Sequence, residues 1–108
     1  MVRVMTKEEN PVNAVALIEQ YRSGTTSPLE VMRETLKAVE RAEPAINAFQ
    51  WLDPQAALRQ AAASEKRWLA GQPTGPLDGL PVAIKDLTLA AGWPTLSGSR
   101  TVDAERDW

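Results

Sequence analysis

Apolar side chains return at helical spacing through about the first two thirds of the chain, then gather into short runs between Gly and Pro after Gly71. Ala14, Leu17, Ile18 and Tyr21 fall at i, i+3, i+4 and i+7, the stripe of one helix face. Asn10-Pro11 predicts the start of this helix and Ser23-Gly24 its end. Ser27-Pro28-Leu29-Glu30 opens a second helix with a capping box. Ser27 can accept from a first-turn amide, and Pro28 gives up no donor that the first turn needs. Leu29, Met32, Leu36 and Val39 line one face, and Glu43-Pro44 is expected to end the helix, because the residue before a proline avoids helical geometry. Asp53-Pro54 opens a third, Ala-rich helix that carries Leu58, Trp68 and Leu69 and stops at Gly71.

Two strands are predicted beside these helices. Ile46 to Leu52 places Ile46, Ala48 and Leu52 on one side, with Phe49 and Trp51 on the other. Pro81-Val82-Ala83-Ile84-Lys85 is a short apolar run between loop signals, the pattern of a strand buried on both faces. Leu87-Thr88-Leu89 continues it, Ala91-Gly92-Trp93-Pro94 turns the chain, and Thr95 to Ser99 is a segment of small residues. Between Gly71 and Pro94, 8 of 24 positions are Gly or Pro, so this part reads as short strands and ordered loops.

Composition narrows the chemistry. A chain of 108 residues is one small domain or a piece of a larger one. With 12 Lys and Arg against 14 Asp and Glu, the net charge is -2, which argues against a basic nucleic-acid or membrane-surface binder. The absence of Cys excludes disulfides, thiolate metal sites and a Cys nucleophile within these residues. The absence of His excludes a Ser-His-Asp triad and the usual zinc sites. The apolar runs are too short to span a bilayer, and the first ten residues lack the apolar stretch of a signal peptide. These features predict a cytoplasmic protein.

Lys85 is the position where chemistry is expected. It closes an apolar run, and α/β folds collect ligands at the carboxyl ends of strands. Burial disfavours the ammonium form, so a buried lysine gives up its proton readily. The ordinary reading, from residue type alone, is a strand-end lysine paired with a neighbouring acid such as Asp86. Val82-Ala83-Ile84-Lys85 also spells the ATP-lysine motif of protein kinases, but that motif needs a Gly-x-Gly-x-x-Gly loop upstream. Here Gly71, Gly75 and Gly79 are spaced by four. Ser97, Gly98 and Ser99 read first as a tight loop, and Asp53 and Asp78 as cap and turn residues. The four tryptophans read as core or interface rather than as a stacking platform for bases.

The stretch Gly75-Pro-Leu-Asp-Gly-Leu-Pro-Val-Ala-Ile-Lys-Asp86 closely resembles the segment around the catalytic lysine of the amidase signature family. That family reads G-P-L-x-G-[IVL]-P-[IV]-x-[IV]-K-D, then a short strand, a glycine and P-T-T-x-G-S. Gly92-Trp93-Pro94-Thr95-Leu96-Ser97-Gly98-Ser99 follows the pattern with Leu96 in place of the second Thr. Ser23 to Ser27, leading into Leu29 and Glu30, resembles the family's second helix start, and Ala45-Ile46-Asn47-Ala48-Phe49 its strand entry. The resemblance implies an α/β fold: N-terminal helices plus the first strands of the family's mixed sheet, truncated before the core is complete. Residues 10–71 are then mainly helical, and 72–108 form a strand and loop segment carrying the lysine motif.

The resemblance also implies an amidase, a hydrolase of carboxamide C–N bonds working through an acyl-serine intermediate and a Ser–cis-Ser–Lys triad. Lys85 is the triad lysine by this likeness; as a neutral amine it takes a proton from the bridging serine, which activates the nucleophilic serine. An arginine could not serve, because it stays charged. Asp86 is expected to point away from the lysine and bind loop amides, since adjacent strand residues face opposite sides. Ser97 and Ser99 do not match the triad serines, which the family carries downstream of its lysine, so the 108 residues alone are expected to be inactive. The implied partners are the remainder of the amidase domain and a small-molecule amide, with a homo-oligomer possible and neither nucleic acid nor membrane, and the likeness implies no metal and no organic cofactor. Relatives of this type include aliphatic and aryl amidases, hydrolases of urea derivatives and one component of a tRNA-dependent amidotransferase. The alternative is a non-catalytic helical interaction module derived from an amidase, in which the 81–85 strand pairs within its own chain or with another molecule.

Overall fold

The computed structural model describes residues 13–108. They form three helices in the order α1 (Ala14–Ser23), α2 (Pro28–Ile46) and α3 (Pro54–Leu69), followed by irregular chain. Each helix starts as its residue types dictate. The Asn13 side chain accepts from Ala16 N at 2.9 Å, and the Asp53 carboxylate accepts from Ala56 N at 2.9 Å. The predicted capping box is complete: Ser27 Oγ accepts from Glu30 N at 3.2 Å, and the Glu30 carboxylate accepts from Ser27 N at 3.0 Å. Asn10 and Pro11, expected to open α1, lie outside the described residues, where the cap is Asn13 instead. Gly24 ends α1 with φ 75°, and its amide returns to carbonyls of the last turn.

Three expectations need correction. First, α2 does not stop at Glu43-Pro44 but runs to Ile46 with Pro44 inside it. A proline this close to the end removes one ladder bond only, and Glu43 caps the amides that follow the helix. Its carbonyl accepts from Asn47 N at 2.8 Å, and its carboxylate accepts from Ala48 N at 2.7 Å and Phe49 N at 3.3 Å. Asn47 takes the left-handed geometry, φ 45°, which reverses the chain. Second, residues 46–52 are therefore helix end and irregular chain rather than a strand. Third, Pro81–Lys85 is not a strand, and the first strands of an α/β sheet are not formed: among the described residues the regular structure is helical. A strand needs a neighbour to satisfy its backbone, and the pairing among the described residues is one isolated bridge, Ala90 with Trp93. Nor is the run buried, since Val82 is 81% exposed and Ile84 47%.

The core is thin and lies where α1 meets the other helices. Leu17, Ile18 and Tyr21 are buried, and Val31, Trp68 and Leu80 pack on them. Helices α2 and α3 pack against each other. The Tyr21 and Trp68 rings meet at 6.0 Å with a 54° tilt, within the range of favourable aromatic pairs. Both rings also hold the lysine segment by their polar ends. Tyr21 Oη donates to the Gly79 carbonyl at 3.1 Å, and Trp68 Nε1 donates to the Asp78 carbonyl at 3.0 Å. Burial pushes the Tyr21 hydroxyl pKa up to about 12.

Candidate functional site

Two carboxylates bracket Lys85 and fix the chain on either side of it. The upstream one is Asp78, whose side chain is only 5% exposed. It accepts from Ser64 Oγ at 2.8 Å, from Arg67 Nε at 2.7 Å and Nη2 at 2.6 Å, and from Thr74 N at 2.9 Å. The Arg67 guanidinium holds the Asp78 carboxyl well below the usual carboxylate range, against the opposing effect of burial. Asp78 is thus more than the turn residue its sequence context suggested: it ties the loop to α3. Gly79 follows with φ 87°, and a Cβ there would stand 2.5 Å from Ser64 Oγ and 2.7 Å from Pro28 Cγ. Only a glycine lets the backbone lie this close to α2 and α3.

The downstream carboxylate is Asp86, which binds loop amides as expected. It accepts from Leu96 N at 2.8 Å, Gly98 N at 3.2 Å and Gln50 Nε2 at 3.1 Å. The amides come together because Ser97 and Gly98 both take positive φ, 53° and 67°, in a turn closed by Ser99 N donating to the Leu96 carbonyl at 2.9 Å. Consecutive residues of this geometry aim successive N–H groups into one concavity that suits an anion. The Leu96 amide is the chief cause of a lowered Asp86 pKa. Gln50 also donates to the Pro94 carbonyl at 2.9 Å, so one side chain links the end of α2 to both sides of the loop. Gln50 is a residue that sequence reasoning missed. A single polar side chain in an apolar run carries no signal of partners thirty-six and forty-four positions away.

Lys85 itself is exposed rather than buried, and it ends no strand. Among the described residues no ion pair joins it to Asp86, whose oxygens are taken up by amides. Its carbonyl accepts from Leu87 N at 2.7 Å and Thr88 N at 2.9 Å, so its backbone is held. The side chain lies on the wall of an open groove of about 660 Å³. Its lining includes Met32, Leu36 and Val39 of α2, Phe49 and Trp51 after that helix, and Val82, Ile84 and Trp93. The loop after the lysine contributes Thr88, Trp93 and Thr95 to this lining, whereas Ser97 and Ser99 lie outside it.

The family model described as Amidase matches residues 30–107, which contain Lys85 and both carboxylates that bracket it. The chain belongs to the amidase family. It is also similar to curated members of that family. It is 42% identical over 78 residues to a glutamyl-tRNA(Gln) amidotransferase subunit of Chloroflexus aurantiacus, a match covering 72% of this chain and 16% of that protein. It is 35% identical over 91 residues to the corresponding protein of Rhodopirellula baltica, covering 84% of this chain and 18% of that one. The mitochondrial counterpart of Ixodes scapularis is 37% identical over 84 residues, covering 78% and 16%. The chain thus spans less than a fifth of the length of the amidase-family proteins it matches. No solved structure matches it. Among the described residues no helix is long and apolar enough to cross a membrane.

Proposed function

We propose that this chain is the N-terminal part of a cytoplasmic amidase that breaks carboxamide C–N bonds through an acyl-serine intermediate, with Lys85 as the triad lysine. The observation that carries the reading is the lysine's place between two anchored carboxylates on the wall of an apolar groove. The main chain there is fixed while the amine is left unpaired by Asp86. A neutral Lys85 amine accepts the proton of the bridging serine, and that serine takes the proton of the nucleophile as it attacks the amide carbon. The C–N bond then breaks, the amine leaves with a proton, and water or an amine resolves the acyl-serine. At an ordinary lysine pKa of about 10.4 only about one amine in a few thousand is neutral at pH 7. Covering any lysine with apolar protein takes it out of water and favours the neutral amine. The curated relatives are amidotransferase subunits by name, so transfer of an amide group is tested alongside hydrolysis. The remainder of the amidase domain and a small amide are the partners this reading requires.

The test is Lys85→Ala and Lys85→Arg in the polypeptide that carries both serines. Both are expected to lose turnover by about 10²–10⁴-fold, the usual worth of a proton-transfer group. Undiminished turnover in either variant sinks the assignment. The 108 residues alone are expected to show no amide hydrolysis; turnover by them that Lys85→Ala abolishes would overturn that part. The rival reading, a freestanding interaction module, requires residues 81–85 to pair within the chain or with another molecule; the exposure of Val82 and Ile84 speaks against the first of these.

A further inference from the structure

The loop that follows Lys85 is tied down by the side chain immediately next to the lysine. Asp86 collects Leu96 N, Gly98 N and Gln50 Nε2. Thr95 Oγ1 donates to the Thr88 carbonyl at 3.2 Å, which fastens the two arms of the loop to each other. With the Leu87 and Thr88 amides on the Lys85 carbonyl, the main chain is held directly after the lysine, as Asp78 and Gly79 hold it before. A lysine amine rides on a flexible four-carbon stem. Where that amine can reach is set by where its Cα is held and the direction in which the stem leaves. A carboxylate beside a lysine would ordinarily pair with it and favour the ammonium form. Here the carboxylate is filled by amide donors instead.

We propose that Asp86 is a positioning residue for Lys85: by gripping the Leu96 and Gly98 amides and the Gln50 side chain, it sets the direction from which Lys85 reaches its proton partner. The inference rests on the reading of Lys85 as the triad lysine. Asp86 touches no reacting atom in this role; it acts through the backbone it holds.

The experiment uses the polypeptide that carries both serines, and a fluorophosphonate as the probe. The serine oxygen attacks phosphorus, a P–O bond forms, the P–F bond breaks, fluoride leaves, and the serine proton passes toward Lys85. Labelling needs no knowledge of the natural amide, and saturation kinetics separate probe binding from the maximal rate. Asp86→Asn is expected to lower the maximal rate about ten- to a hundredfold, as an ångström of misplacement does, with binding of the probe changed little. Asp86→Glu, which restores the carboxylate, is expected to recover part of that loss. Gln50→Ala, which removes one of the three donors, is expected to show a smaller fall of the same kind. A merely structural role would reduce the fraction of protein that labels and leave the maximal rate per labelled site unchanged; that result overturns the proposal. Should Asp86→Asn fail to fold, Gln50→Ala decides, and an unchanged rate there overturns it as well. A Lys85→Ala protein that labels as fast as the unsubstituted one removes the underlying reading. A slow Lys85→Ala beside a fast Asp86→Asn removes only the positioning role.

Discussion

At the scale of single residues, the best-supported interaction is the one that anchors the motif, not the one expected to do chemistry. Asp78 accepts from two side chains, Ser64 and the forked Arg67, and from the Thr74 backbone amide. Charged hydrogen bonds of this sort are worth about 1.5–3 kcal/mol when one partner is removed, and Asp78→Asn is expected to cost that much in urea unfolding at neutral pH. The amide would turn an N–H toward either Thr74 N or Arg67, both of which are donors. The pH dependence follows from the direction of the Asp78 shift. The carboxyl titrates lower folded than unfolded, so its contribution is full above the unfolded pKa of about 3.9 and is lost as pH falls through the folded value. The gap between the parent chain and Asp78→Asn should therefore be constant above about pH 5 and close progressively below pH 4. A gap that persists unchanged at pH 2 would mean that packing, rather than charge, holds the loop to α3.

At the scale of elements, the starts of α2 and α3 and the glycine end of α1 are legible in the sequence, whereas the end of α2 and the fate of the two expected strands are not. A cap residue followed by proline acts within one turn, so Ser27-Pro28 and Asp53-Pro54 announce α2 and α3 locally. The end of α2 depends instead on where the Glu43 side chain goes after the turn, and that is not visible in spacing. The apolar pattern of Ile46 to Leu52 reads as alternation, yet Ile46, Trp51 and Leu52 all stand exposed here. The same holds for Pro81 to Lys85: an apolar run says that a segment prefers burial, not that its partner lies within the same 108 residues. The site is legible to the extent that it is local. Lys85 and the amide-binding role of Asp86 follow from adjacent positions, whereas Gln50 and Ser64 reach it only through the fold. Glu43 supplies a test at this scale. Glu43→Ala removes the acceptor for Ala48 N and Phe49 N and is expected to cost about 1 kcal/mol. Hydrogen exchange at Ala48 and Phe49 should speed up while exchange in the middle of α2 is unchanged; uniform acceleration through α2 would mean that Glu43 stabilises the whole helix.

At the scale of the molecule, the chain is flat and open. It measures 47 × 34 × 19 Å with a radius of gyration of 15.9 Å, above the roughly 13 Å of a compact domain of about 100 residues. Among the described residues the buried apolar core consists of Leu17, Ile18, Tyr21 and Ala61, while Val82, Ile84, Leu87 and Leu89 face water within one short stretch of sequence. Apolar surface of this extent in the motif segment fits a partner surface supplied by the rest of an amidase domain. Val82→Thr, which keeps the shape of the side chain and adds a hydroxyl, should then act differently in the short and the long polypeptide. In the 108-residue chain Val82 is 81% exposed, so the change should alter stability by no more than about 0.5 kcal/mol. In a longer polypeptide that covered the same side chain, a hydroxyl without a partner should cost about 1–3 kcal/mol. Unfolding of both proteins with and without the substitution gives the two differences directly. A large cost only in the longer protein places Val82 under a sheet built by residues outside this chain. Equal, small costs in both would leave the segment open to water even in the longer protein, and the groove beside Lys85 would then have to be closed by the substrate rather than by the fold.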